Sequence, residues 1–401
     1  MTKPLFVHDF GFVCALGNGC AQKCDCVLEK LKNGVPADFV WQDIAGLKKP
    51  AAVIPFEKLS PVRIFKYDNR VNRLSQMALD EIDESVRKMV EIYGADRVGI
   101  FLGSCDNGSD VSLEALKVFK ETGTFPEGYS LEHQRPDFPI MYIAERYGIT
   151  GMKSVHSTAC ASSASALVAA RNNIYAGNCD AAIVGGVDIA SSSVSIGFSS
   201  LESVSENPSN PFSANRSGLT LGDGAVYFLV TKEVCDKLCV QGCEGLKFVG
   251  FGESADADHI TAPRADGEGA IRSIESALTD AEIRPDDVGY INLHGTGTFL
   301  NDRMESIAVH QVFGDSTFAS STKALTGHTL GASGALEAAF CCMALQNNFI
   351  PVHHFDGKID PTCSKIALAK SGDRAEKFRY CISNSFAFGG CNVSLVIGKD
   401  C

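Results

Sequence analysis

Short, β-branched apolar runs alternate with longer stretches of helical periodicity along most of this chain. VGIFLGS (98–104), AAIVGGVDI (181–189) and VGYINLHG (288–295) are apolar almost without interruption, the pattern of strands buried on both faces. Leu74, Ala78, Ile82, Val86 and Met89 recur at helical spacing and predict an amphipathic face. ALVAARNNI (166–174) reads as another helix, directly after a segment of small and hydroxyl residues, SVHSTACASSAS (154–165). Strands separated in this way by helices predict an α/β protein.

The order of elements repeats. FVHDFGFV, VGIFLGS, a small-residue segment holding Cys160 and GDGAVYFLVTK (222–232) are followed by LKFVGFGES (246–254), VGYINLHG, a small-residue segment holding His328 and GGCNVSLVIGK (389–399). The last two pairs are offset by about 167 residues, which predicts duplication of a whole βαβ layer rather than a short solenoid repeat. We expect two similar halves, residues 1–240 and 241–401, with the break near 233–246. No Pro-rich or Ser-rich linker divides them, so they should pack as one body, with the Cys160 and His328 segments meeting at the junction.

Composition narrows the class. The 401 residues are 45% hydrophobic, enough for a large core, and the start MTKPLFVHDFGFV turns polar too soon for a signal peptide. With no uncharged apolar run of about 18 residues, the expectation is a soluble, cytoplasmic protein without membrane insertion. A net charge of -12 and the lack of a long basic stretch argue against nucleic acid as a partner. Sixteen cysteines, mostly in apolar segments, read as reduced and buried. Cys20, Cys24 and Cys26 lack the spacing of a zinc or iron–sulfur site. Cys235, Cys239 and Cys243 recur every fourth residue with no fourth ligand nearby, so we expect a buried helical stripe and no metal.

Cys160 stands at or near the start of its helix, where unpaired N–H groups and the positive dipole end favour thiolate. Ala159, Ala161, Ser162 and Ser163 leave room for a substrate beside it. His294 opens HGTGT (294–298) at the carboxyl end of a strand, where open α/β sheets bind ligands. STKALTGHTLGASGALEAA (321–339) places Lys323 and His328 before a second small-residue helix start, and NSFAFGGCN (384–392) carries Gly389 and Gly390, which allow close backbone approach. A single cysteine or histidine is more often structural. Two histidines in separate glycine-rich strand-to-helix turns, together with a thiol, are harder to read as structural.

STACASS, HGTGT, K-x3-GH-x-LGA-x-GALE and NSF-x-FGG-x-N, in this order and spacing, resemble the β-ketoacyl-acyl-carrier-protein synthases of the thiolase superfamily over essentially the whole chain. The Cys-His-His set is similar to that of the elongating ketosynthases of fatty acid and polyketide synthases, not to the Cys-His-Asn set of initiating enzymes or the two cysteines of thiolases. The resemblance implies a five-layered αβαβα sandwich of duplicated halves, and condensation of an acyl thioester with malonyl carrier protein without cofactor or metal. It makes Cys160 the nucleophile and His294 and His328 the pair assisting decarboxylation. Lys323, with Glu305 as its acidic partner, would organise the histidines. The backbone N–H groups of Cys160 and Phe388 would form the oxyanion hole, Phe388 would gate the acyl tunnel, and His156 would be structural.

The chain departs from the usual pattern at Phe299, Leu300, Asn301 and Asp302 after HGTGT, at NPFSANRSGLTLGDGA (210–225, with Ser213 and Asp223 at acidic positions) and at Ala387. The ND after HGTGT and PFSANR are similar to ketosynthases of aryl-polyene clusters. Asp106 and Phe198 are the expected acyl-pocket residues, with helix capping the other reading of Asp106. Arg63, Lys66, Arg70 and Arg73 follow a spacing that would share one helical face, either solvated or offered to an acidic carrier protein. The expected partners are acyl and malonyl carrier protein and a second subunit, identical or related. The rival readings are a catalytically silent chain-length-factor-like subunit and a cysteine thioester hydrolase. The retained cysteine argues against the first, and the second histidine and lysine against the other.

Overall fold

The computed structural model describes residues 3–44, 46–106, 108–373 and 378–400. Ten strands carry the architecture. The first five are β1 (Leu5–Cys14), β2 (Val98–Gly103), β3 (Lys153–His156), β4 (Ala181–Asp188) and β5 (Gly224–Thr231). The second five are β6 (Leu246–Ala255), β7 (Val288–Asn292), β8 (Phe318–Ser320), β9 (Tyr380–Phe386) and β10 (Cys391–Lys399). Read outward from the centre, the order is β1-β5-β4-β2-β3 on one side and β6-β10-β9-β7-β8 on the other. In each half the first three strands are antiparallel and the last three parallel. The halves join where Leu5 and Phe6 pair antiparallel with Phe248 and Lys247. Each inner strand is bulged at a corresponding place, between Val7 and Asp9 in β1 and between Phe248 and Gly250 in β6.

Helices fill the layers around this sheet. α1 (Arg70–Asp80), α2 (Asp83–Tyr93), α3 (Ser109–Thr122), α4 (Phe138–Tyr147), α5 (Ser162–Tyr175), α6 (Ser192–Ser200), α7 (Glu268–Asp280), α8 (Phe299–Phe313) and α9 (Ser333–Asn347) follow in chain order. α5 and α9 touch strands of both halves, whereas α1, α2 and α4 cover the outer face of the first half and α7, backed by α8, that of the second. The result is five layers, αβαβα. Every residue of α9 from Ser333 to Leu345 is buried, as a helix in the middle layer requires. The hydrophobic core divides accordingly. One cluster spans the central layer with residues from both halves, and one lies under each outer helical layer.

Leu74, Ala78, Ile82, Val86 and Met89 are all buried, but their stripe crosses two helices, broken at Glu81–Ile82. Two expectations fail. Cys235, Cys239 and Cys243 lie in turns rather than on a helix, and Cys235 and Cys239 are only half-buried. Leu238 is buried there, but Gly242 at φ 97° turns the chain before Cys243, so the regular spacing does not continue as a helix. Nor do the four basic residues share a face. Asn69 caps α1 by accepting from the Asn72 amide, so Arg63 lies ahead of the helix, Lys66 in a 3-10 turn and only Arg70 and Arg73 on it.

Their charges are also taken. Arg70 donates to the buried Asp223 carboxylate and to the Ile54 carbonyl, and Arg73 is held by Asp68 at 2.6 Å. Arg63 pairs with Asp80 and Lys66 with Glu145, both in the open. Asp223 also accepts the Ile54 and Ala190 amides, fixing three chain segments to one another. Removing Arg70 leaves that carboxylate without its cation, at a cost of about 3 kcal/mol. Reversing an exposed charge costs about 1 kcal/mol or less. In urea unfolding, Arg70→Ala should therefore lower the midpoint markedly, and Arg63→Glu and Lys66→Glu barely move it.

Candidate active site

Two turns of the same shape face each other across the junction of the halves. Cys160 sits in a 3-10 turn (Ala159–Ala161) that runs into α5, and Leu330–Ala332 forms the matching turn before α9. Each opens with a non-glycine residue in the left-handed region, Ala159 at φ 49° and Leu330 at φ 53°. Such residues are held there only when their surroundings dictate it. Ser163 Oγ accepts the Ala335 amide at 2.9 Å, tying the start of α5 to the start of α9.

This pairing brings His328 Nε2 to 3.1 Å from Cys160 Sγ. The Leu330 N–H donates to His328 Nδ1 at 3.1 Å, so Nδ1 is unprotonated and the Nε2 facing the sulfur carries the proton. His294, just past β7, meets His328 edge to face with ring centroids 5.4 Å apart. Its Nδ1 lies 3.3 Å from the Lys323 ammonium, which can only donate. Both imidazoles therefore hold the Nε2–H tautomer. Both are fully buried, and burial with the Lys323 charge holds them well below the usual histidine range, so they are neutral donors.

The acidic partner of Lys323 is Glu337, not Glu305. Lys323 Nζ bonds Glu337 Oε1, both side chains being buried, and Ser333 Oγ supports the same oxygen at 3.1 Å. Glu305, on α8, instead accepts the backbone N–H groups of His294 and Gly295, each at 2.7 Å. It fixes the main chain of HGTGT while Lys323 fixes the ring. Burial pushes Glu305 up to about 8 and raises Glu337 as well. Glu337 was visible in the GALE motif, but nothing in the sequence says which of two glutamates a lysine meets.

Burial also pushes the Cys160 thiol up to about 12, while the Lys323 charge and the cysteine's own N–H pull it down. The dipole argument for a ready thiolate is thus outweighed by desolvation at the turn. Cys160, His294 and His328 could in principle enclose a metal ion. The ring nitrogens facing that space carry their protons, however, because Leu330 N–H and Lys323 occupy the other side of each ring. This donor set does not suit a cation.

A pocket of about 300 Å³ leads to Cys160 and His328, lined by Phe198, Thr296, Thr298, Phe386, Phe388 and Asn392 among others. Phe388, in the β9–β10 loop, stacks on Phe198 of α6 with centroids 5.6 Å apart. Gly389 and Gly390 beside it take φ 85° and 74°, backbone open to glycine. The threonines and Asn392 belong to motifs read above but were not singled out as pocket residues. Asp106 does not line this pocket. Its carboxylate accepts the Ser109 amide and hydroxyl at 2.9 and 2.8 Å at the start of α3, and it borders a second cavity with Cys105 and Val194. His156 bonds Ser154 Oγ on β3, away from the pocket.

The departures from pattern are structural joints. Asp302 accepts the Phe212 and Gly297 amides and, with Asp360, flanks Arg216, whose guanidinium stacks under Phe299 at the pocket.

The β-ketoacyl synthase N-terminal domain matches residues 58–234 and the β-ketoacyl synthase C-terminal domain residues 247–355. The chain belongs to the β-ketoacyl synthase family. It is an acyltransferase of the condensing class. Over 350 residues it is 31% identical to 3-oxoacyl-(acyl-carrier-protein) synthase 2 of Staphylococcus aureus (strain COL), covering 83% of both chains. Over 334 residues it is 32% identical to nodulation protein E of Rhizobium meliloti, covering 81% of this chain and 82% of that one. A chain from the complex of the ketosynthase ApeO with its chain length factor ApeC, from Xenorhabdus doucetiae, superposes at TM-score 0.90 and 34% identity, over 99% of this chain and 98% of that one. Among the described residues of this β-ketoacyl synthase, no helix is long and apolar enough to cross a membrane.

A thiol raised this far is mostly protonated at neutral pH, and its thiolate fraction grows about tenfold per pH unit. Alkylation of Cys160 by iodoacetamide, followed by peptide mass, should rise with that slope from about pH 7 to 9. A plateau beginning near neutrality would mean a preformed thiolate.

Proposed function

We propose that this protein is the catalytic ketosynthase of an aryl-polyene-type assembly, condensing an acyl group held on Cys160 with malonyl carrier protein. The observation that carries the reading is the pair of neutral Nε2–H imidazoles sharing one buried site with a single sulfur. In the first step the Cys160 sulfur attacks the acyl carrier thioester as its thiolate, the thiol proton passing to the departing carrier sulfur. The N–H groups of Cys160 and Phe388 receive the tetrahedral oxyanion, and the carrier thiol leaves. Malonyl carrier protein then enters, and its thioester oxygen accepts from His294 and His328. As the carbon–carbon bond breaks, carbon dioxide departs and the two N–H donors stabilise the enolate. The enolate carbon attacks the Cys160 thioester and the tetrahedral intermediate collapses, expelling the sulfur. The product is a β-ketoacyl carrier thioester longer by two carbons.

Lys323 and Glu337 are positioning groups in this scheme, and Glu305 holds the His294 backbone. Phe388 is the gate, moving off Phe198 to admit the acyl chain, with Ala387 stiffening the hinge relative to glycine. Phe198 belongs to the acyl pocket. Asp106 acts by shaping the second cavity, should the chain extend there.

The likeness to the ApeO–ApeC complex supports a heterodimer with a related subunit, in which this chain, retaining cysteine and both histidines, is the active member. Free thiols throughout the described residues and the lack of a membrane-length helix support a cytoplasmic setting. The basic segment 63–73 offers the carrier no unpaired cation, so docking there rests on the exposed, already paired Arg63 and Lys66 alone.

With acyl and malonyl carrier proteins supplied, the wild type should release carbon dioxide and form a β-ketoacyl thioester. Cys160→Ala should stop condensation and acylation seen by intact mass. His294→Ala and His328→Ala should each slow decarboxylation by about 10²-fold or more while leaving Cys160 open to acylation. Free acid as the main product would favour a hydrolase, and no product without a second subunit that restores it would favour the silent role.

A further inference from the structure

We propose that Asp188 is a positioning residue for His328: its ionised carboxylate clamps the turn that follows His328 to the loop that follows β2. The inference rests on the condensing reading of the site. Asp188 ends β4 and is fully buried. Its Oδ2 accepts the Gly331 amide at 2.7 Å and the Cys105 amide at 2.9 Å. Its Oδ1 accepts the Asp106 amide at 2.8 Å and the Ser104 hydroxyl at 3.3 Å. Gly331 follows Leu330, whose N–H sets the His328 tautomer, so one carboxylate holds the peptide next to the one that aims the catalytic ring. The approach needs glycine, because a Cβ at 331 would lie 2.5 Å from Oδ2.

The same carboxylate reaches the nucleophile side. Cys105 Sγ lies 3.1 Å from the Ala159 carbonyl and 3.3 Å from Ser162 Oγ, on either side of Cys160. Asp188 therefore bridges the two facing turns and the wall of the second cavity.

Three backbone amides and the Ser104 hydroxyl converge on this group, and only the hydroxyl can also accept. A proton on the carboxyl removes the charge that strengthens the amide bonds, and the Gly331 N–H is the one that crosses between the halves, so its weakening loosens the turn that fixes His328. Burial, reinforced by the Asp106 charge, raises Asp188 to about 7, against the pull of the three amides. The other titratable groups facing it are Cys105 and Cys160, both raised and uncharged at this pH. Decarboxylation should thus be fullest above about 7 and fall as the pH drops through it. His328 cannot supply that limb, being held well below its usual range, but Glu305, raised to about 8, can supply one of its own.

The test follows carbon dioxide release from malonyl carrier protein against pH. Asp188→Asn sets an amide donor against N–H groups, and should lower the rate about tenfold and remove a one-proton limb near pH 7 that Glu305→Gln keeps. Ser104→Ala takes away one donor to the carboxylate and should shift that limb to higher pH with the fold intact. An Asp188→Asn protein that melts like wild type and keeps its rate and limb overturns the proposal. So does an unmoved limb in Ser104→Ala, which decides the matter should Asp188→Asn not fold. Wild type that releases no carbon dioxide overturns the condensing reading instead. Asp188 is then judged by the ¹⁵N shift of His328 Nδ1, which should change in a single step near pH 7; a shift that stays flat overturns the proposal.

Discussion

A buried ammonium group flanked by a carboxylate on one side and an imidazole on the other is the contact on which the rest of the site depends. The Lys323 ammonium lies in the protein interior paired with the Glu337 carboxyl group. A buried charge without a partner would be strongly destabilising. The Lys323 N–H aimed at His294 Nδ1 decides which ring nitrogen carries the proton, and burial, reinforced by the Lys323 charge, keeps both histidines neutral. The proposed condensation needs donors that do not ionise, and burial together with the cation supplies that condition.

The arrangement comes from the duplication. Each half lays down the same sequence of strands and ends a small-residue turn at the central layer, so the two turns meet face to face. Divergence between the copies then assigned different work to each. The first carries sulfur at position 160, and the second carries glycine at 331, small enough for Asp188 to approach. The pseudo-symmetric frame is rigid because α9 is buried on all sides from Ser333 to Leu345 and α5 from Ser162 to Val168, and a rigid frame can hold two left-handed residues in place.

The surface tells the opposite story about charge. Residues that looked like a basic face turned out to be staples, Arg70 to Asp223 and Arg73 to Asp68. Asp302 and Asp360 around Arg216 do similar work near the pocket. Spacing alone cannot separate a docking cation from a structural one, since the difference lies in whether a distant carboxylate arrives.

What the sequence by itself determined is the alternation of strands and helices, the duplicated halves, the sulfur and the two histidines, because hydrophobic period and local turn chemistry are written in contiguous residues. The helical stripe from Leu74 to Met89 was legible in burial but not in its break at Glu81, and the cysteine stripe after Cys235 was not a helix. Only the tertiary structure decided that Lys323 meets Glu337, that Glu305 holds backbone, that Asp106 lies off the Cys160 pocket and that Asp188 bridges the two turns. Each of these is a contact between groups far apart in the chain or between equivalent candidates. Electrostatic partners of that kind are selected by how strands and helices pack, not by the residues that flank them.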